Sequence, residues 1–304
     1  MIEKISRNFF LHVSKNILLN KAAKRWGLRL GASQVVAGDC IEQMVSKVKE
    51  LNKDGFVCTL DNLGEFVMSK EEAVAATEQI IQTLEAISKN KLNSQLSVKL
   101  TQLGIDIDRK FCVQNMYRIL NTAKKYQIFV TIDMEDYSHC ELTLDVLAEL
   151  RKTYNNVGTV IQAYLFRSVQ DVKNLKGIPL RLVKGAYKES NNVAYQDKRL
   201  IDENLLELIK IHLLSKSYTA IATHDHQLID RVKKIVEENE ISPDQFEFQM
   251  LYGFRNELQQ QLLSEGYRVR VYVPFGTDWF AYYMRRLAER PQNITFALRG
   301  FFSK

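Results

Sequence analysis

From about residue 54 onward, short β-rich runs alternate with longer amphipathic stretches. The runs lie at 56–60, 96–100, 128–133, 158–162, 180–184, 219–224, 246–250 and 268–273. Each is five or six residues, rich in Val, Ile, Leu, Phe and Thr, the length and composition of buried strands. Between them, stretches such as 70–89 and 204–214 place apolar residues three and four apart, which predicts helices. Eight strands alternating with helices over some 250 residues fit a closed (β/α)8 barrel of the TIM type. An open doubly wound sheet is the alternative. It ordinarily opens with a glycine-rich phosphate-binding turn, and neither G-x-G-x-x-G nor G-x-x-x-x-G-K-[ST] occurs here.

Residues 1–53 precede the first strand and predict helices. Ile2, Ile5, Phe9, Val13 and Ile17 fall on one face, and Ile41, Met44, Val45, Val48 and Leu51 form a second stripe. The expected organisation is an N-terminal helical extension, 1–53, ahead of a barrel domain, 54–304. The basic excess sits in this extension. Residues 1–30 hold seven Lys and Arg against Glu3 alone, equal to the whole formal net charge of +6. A neutral body argues against a nucleic-acid partner, whose binding face would be basic over the fold. A basic amphipathic helix can instead lie on an anionic membrane surface, pack its apolar face on the barrel, or serve as a transit peptide. Cys40, Cys58, Cys112 and Cys140 never approach C-x-x-C spacing, and no secretory leader pattern opens the chain, so they read as free thiols in a reducing cytoplasm.

Barrel chemistry sits where strands end and loops begin. Those ends carry Asp61, Lys99, Asp133, Gln162, Arg181 with Lys184, Thr223 with His224, Gln249 and Tyr272. Any one of them is an ordinary solvated loop entry; a ring of them predicts a polar site across the mouth. Alternation puts Thr131 with Asp133 and Ser97 with Lys99 on common faces, and sends Arg181 and Lys184 in different directions. Tyr282, Arg285, Arg286 and Glu289 share one face of the stretch after the eighth strand. Two adjacent guanidinium groups suit a carboxylate or phosphate; an internal Arg285–Glu289 pair on a solvated turn is the plainer reading. His224-Asp225-His226 invites a metal, but His12, His139 and His212 end no strand and supply no third ligand. Lys99 or Lys184 could also serve a Schiff base. A metal-dependent hydrolase and a non-catalytic basic binding module therefore remain as competing classes.

Ordered motifs narrow the choice. S-V-K-L-T-Q-L-G at 97–104, T-I-D-M-E-D at 131–136, V-I-Q-A-Y-L at 160–165 and R-L-V-K-G-A-Y-K-E at 181–189 are followed by A-T-H-D at 222–225, F-Q-M-L-Y-G at 248–253, R-V-Y-V-P-F-G at 270–276 and Y-Y-M-R-R-L-A-E-R at 282–290. Together they resemble the proline dehydrogenases, in their monofunctional bacterial form, over about residues 56–300.

The resemblance implies FAD-dependent oxidation of L-proline to Δ1-pyrroline-5-carboxylate in a distorted barrel whose last helix lies over the mouth, with electrons passed to a membrane quinone. It implies that Arg285, Arg286 and Lys99 hold the substrate carboxylate, with Glu289 on the same helix. Asp133 would hold Lys99; Tyr272 and Tyr282 would wall the ring; Leu251 and Tyr187 would pack against it. Met134, Gln162, Arg181, Lys184, Gly185, Ala186, Thr223 and His224 match flavin-contacting positions, Arg181 beside N5. Lys188 stands where family members often carry Trp.

Overall fold

The computed structural model describes residues 32–64 and 67–289, with side chains as far as Met284. The extension's first stripe, and with it the membrane and transit-peptide readings of residues 1–30, lies outside the described residues. The chain runs α1 (Ile41–Lys53), β1 (Val57–Asn62), α2 (Lys70–Lys89), β2 (Ser94–Val98), α3 (Arg109–Lys125), β3 (Val130–Ile132), α4 (Tyr137–Leu150) and β4 (Val157–Gln162). It continues α5 (Ser168–Asn174), β5 (Leu180–Val183), α6 (Lys198–Leu214), β6 (Thr219–Ala222), α7 (His226–Glu238), β7 (Phe246–Leu251), α8 (Asn256–Ser264), β8 (Val269–Phe275) and α9 (Trp279–Glu289). The eight strands pair in parallel and in sequence order, and β8 closes on β1, giving the expected TIM-like barrel.

Helix starts follow local side-chain chemistry. Ser69, Asp108, Asp136, Asp197 and Asp225 precede α2, α3, α4, α6 and α7, and each accepts a backbone N–H of the first turn, satisfying donors the helix itself cannot. The apolar strand residues Leu60, Leu96, Val98, Val130, Ile132, Leu182, Ile221, Phe248 and Val271 face outward into one core with the helices. Met44 and Val48 of α1 join that core. Among the described residues no helix is long and apolar enough to cross a membrane.

Several strands differ from their sequence expectation at the ends, for reasons that matter to the site. β2 stops at Val98, because Leu100 turns helical and a 3-10 turn, Thr101–Leu103, follows. The buried Glu135 carboxylate draws that turn in, accepting from the Thr101 N–H at 3.1 Å and its hydroxyl at 2.5 Å. Lys99 is left where the chain quits the ladder. β8 runs on through Pro274, which has no N–H to give. Pairing to β1 still carries it forward, with Asp61 opposite Pro274 and Asn62 opposite Phe275, whereas pairing to β7 ends at Tyr272.

Candidate active site

At the C-terminal mouth, Asp133 is the point on which four strands converge. It follows β3, and its N–H still bonds the Val98 carbonyl at 2.9 Å. Its Oδ1 accepts from Arg181 Nη1 at 2.7 Å and Ser97 Oγ at 3.1 Å. Its Oδ2 accepts from Tyr272 Oη at 2.7 Å and Lys99 Nζ at 3.1 Å. Lys99 also donates to both oxygens of Asp61, at 2.9 and 3.0 Å. Burial alone would raise the Asp133 pKa; Lys99, Arg181 and the Tyr272 hydroxyl outweigh it and hold the carboxyl below its ordinary range. Burial, then the Asp133 and Asp61 charges, push the Tyr272 hydroxyl well above its ordinary value, so it stays a proton donor. The Arg181 guanidinium lies 5.1 Å from the centre of the Tyr272 ring, within cation–π range.

Arg181 is the second residue of β5 and not its last, so it stands deeper in the barrel than a strand-end reading suggests. Lys184 follows the strand and turns away from it, pairing with Asp202 at 2.6 Å and Asp225 at 3.2 Å. These two cations serve separate regions, as alternation requires. Gly185 then adopts φ +114, and a Cβ there would fall 1.4 Å from the Tyr164 ring. Only glycine fits this turn. Ala186 beyond it is exposed and Tyr187 half-buried.

Gln162, at the end of β4, donates to the carbonyls of Met134 and Glu135 at 3.3 and 3.0 Å, fixing the loop after β3. Met134 is buried with Val160, Tyr164 and Leu165. After β6, the Thr223 hydroxyl accepts the Asp225 N–H at 3.2 Å, and His224 Nε2 accepts the Leu251 N–H at 3.0 Å. Accepting at Nε2 places the His224 proton on Nδ1. Among the described residues no group of three His, Cys, Asp or Glu side chains could hold a metal ion. Tyr282, on α9, is buried in a cluster with Trp279, Tyr283, Val36 and Leu63, the last of which follows β1 at the mouth. Arg285, Arg286 and Glu289 belong to the same helix. Their side chains lie outside the described residues.

The mouth therefore brings together Lys99, Asp133, Arg181 and Tyr272. Gln162, Lys184, Gly185, Thr223 and His224 stand on the neighbouring ends of β4, β5 and β6. Asp61, expected in the ring of strand ends, and Ser97, marked only by sharing a face with Lys99, complete the first group. Their signal was parity with Lys99 and the end of β1. Gln249, expected in the ring at the mouth, stands instead below Arg181, because β7 runs on to Leu251; with the inward-facing Glu247 and Arg270, to which the sequence assigned no role, it forms a polar group.

Comparison with known proteins gives the family. Residues 44–298 match the proline dehydrogenase family. "Proline dehydrogenase 2" of Bacillus subtilis (strain 168) is 49% identical over 302 residues, covering 99% of this chain and 100% of that protein. "Proline dehydrogenase" of Deinococcus radiodurans is 40% identical, covering 99% of both. The solved structure of proline utilization A (PutA) from Bdellovibrio bacteriovorus, inactivated by N-propargylglycine, superposes with a TM-score of 0.81 at 29% identity, over 90% of this chain and 34% of that one. The chain belongs to the proline dehydrogenase family, enzymes that oxidise proline in its catabolism.

Proposed function

We propose that the chain oxidises L-proline to Δ1-pyrroline-5-carboxylate with FAD as cofactor and passes the electrons to a membrane quinone. The observation that carries this reading is the Lys99–Asp133–Arg181–Tyr272 constellation: three fixed polar groups gathered on one carboxylate at the mouth, beside the ends of β4 to β6. The donor set there fits a flavin. An ammonium group, an amide, a hydroxyl and an imidazole stand on three adjacent strand ends with the Arg181 guanidinium deeper between them, and the Gly185–Ala186 turn keeps side-chain bulk off the rim. Gln162, Arg181, Lys184, Gly185, Ala186, Thr223 and His224, with Met134 beneath, would hold it. When bound, the flavin supplies the two-electron acceptor, taking a hydride from C5 of proline at N5.

The chain's own residues then bind and orient. Lys99, with Arg285 and Arg286 of α9, captures the proline carboxylate. Asp133 and Asp61 hold Lys99 in one position, so the substrate meets a cation already placed. Tyr272 and Tyr282 wall the ring, with Leu251 and Tyr187 packed against it. The same cations disfavour the ammonium form of the substrate, whose nitrogen lone pair must be free as the hydride leaves. Arg181 supplies a fixed positive charge beside the acceptor atom. Residues 1–30, whose sequence combines the basic excess with a periodic apolar pattern, would give the contact with the quinone-bearing membrane.

The purified protein should be yellow, and L-proline added without air should bleach its visible absorbance. A colourless protein that neither takes up FAD nor oxidises proline with a dye acceptor would sink this reading.

A further inference from the structure

The N-terminal end of the barrel holds a half-open cavity of about 450 Å³ whose lining includes Thr131, Arg181, Tyr218, Glu247, Gln249 and Arg270. It lies on the side of Arg181 away from the mouth. Glu247, Gln249 and Arg270 are 1%, 4% and 5% exposed. The Glu247 carboxylate accepts from Arg270 Nε at 2.6 Å and Nη2 at 2.9 Å, and from the Tyr218 hydroxyl at 2.8 Å. It also accepts from Gln249 Nε2 at 2.6 Å. With that amide nitrogen engaged, the Gln249 oxygen faces the other way and accepts from Arg181 Nε at 2.7 Å.

The amide has only this orientation open to it. Turned over, its oxygen would oppose a carboxylate and its NH2 would oppose the Arg181 N–H, two like-with-like contacts in a buried place. Alternation along β7 puts residues 247 and 249 on one face, so the carboxylate is always within reach of the amide. The charges are also apportioned. Arg270 balances Glu247, while Arg181 meets a neutral amide on this side and Asp133 on the other. A carboxylate at 249 would hold the guanidinium as well, but would draw its charge away from the mouth.

We propose that Glu247 is a positioning residue for the reaction: acting through the Gln249 amide, it fixes the rotation of the Arg181 guanidinium that would serve the flavin. The inference rests on the placement of Arg181 beside the flavin given above. Glu247 and Gln249 themselves stand below Arg181, so their effect on the chemistry reaches the mouth through that side chain.

The test uses the flavin-loaded enzyme and four variants: Glu247→Gln, Gln249→Met, the two combined, and Arg181→Met. Both single β7 variants keep side-chain shape. Each should lower kcat about tenfold, with KM for proline within about twofold, because the carboxylate clamp is untouched. The flavin midpoint potential should fall with kcat; a tenfold change corresponds to about 30 mV for a two-electron couple. The combined variant should be no worse than Gln249→Met alone, since one residue acts through the other. Additive losses, an unchanged potential, or a variant that fails to fold and load flavin would make the pair structural and overturn the proposal. If Arg181→Met also leaves the potential unchanged, the placement of Arg181 fails. If Arg181→Met shifts it and Gln249→Met does not, the relay alone fails.

Discussion

Arg181 reaches from β5 across the barrel to the residue after β3, its Nη1 donating to Asp133 Oδ1 at 2.7 Å. Among the described residues, Asp133 is the carboxylate with which Arg181 forms an ion pair. Asp133→Ala should therefore leave a buried guanidinium uncompensated and destabilise the protein by about 3–5 kcal/mol in chemical denaturation. Asp133→Asn keeps shape and some hydrogen bonds. It should fold and bind flavin yet turn over proline at least about tenfold more slowly, a loss of roughly 1.4 kcal/mol of positioning. Equal stability of the Ala variant and the parent would show that the pair stabilises nothing.

Arg285 and Arg286 test the substrate clamp. Arg285→Met and Arg286→Met should each weaken proline binding by about 2–4 kcal/mol, the range for removing one partner of a buried charged contact. Flavin content should survive in both. Loss of flavin with proline affinity intact would reverse the assignment of these residues to substrate.

Gly185→Ala meets two obstacles: a backbone at φ +114, which costs a side-chain-bearing residue about 1–3 kcal/mol, and the Tyr164 ring in the space a Cβ would take. The variant should melt lower and lose flavin. Pairing it with Tyr164→Ala removes the clash and leaves the backbone strain, so the double variant should be more stable than the two single losses predict when added. Strict additivity in the melting data would show that the ring is not the obstacle.

His212 is fully buried, its Nε2 donating to the Ile178 carbonyl and its Nδ1 accepting from Thr219. Burial lowers its pKa to about 4. The unfolded chain takes up this proton near pH 6.5, before the folded protein can, so the stabilisation is complete above about 6.5 and declines as pH falls toward 4. The loss should reach about 3 kcal/mol, read from denaturation midpoints across that window. His212→Gln should flatten the window. An imidazole that titrates normally by NMR in the folded protein would contradict the prediction.

The barrel was legible in the sequence because its strands are short apolar runs at even spacing and its outer faces need a continuous core. The ends were less so. Nothing in Leu96 to Leu100 tells that the ladder stops at Val98; that follows from Glu135, thirty-odd residues away, seizing Thr101. Parity correctly separated Arg181 from Lys184, but it could not show the depth of Arg181, which depends on the stagger of neighbouring strands. Glu247 and Gln249 carried a visible sign, polar residues at every second place in a strand otherwise built of Phe and Met. What was missing was their partner, because Arg270 and Arg181 come from other strands.

Closure of β8 on β1 also sets the order in which the molecule can be assembled. Arg270 Nη1 donates to the Cys58 carbonyl at 2.7 Å across a sequence separation of 212. The Ala37 N–H bonds the Pro274 carbonyl, and the Gly276 N–H bonds the Gly38 carbonyl. A nascent chain emerging from the ribosome thus holds β1 with one side unpaired throughout the synthesis of β2 to β7. Its first strand is exposed to wrong neighbours for most of that time, and contacts so distant in sequence form slowly. The strand completing the ring is followed directly by the helix that bears Arg285 and Arg286, so barrel closure and acquisition of the substrate clamp belong to the same late moment of translation.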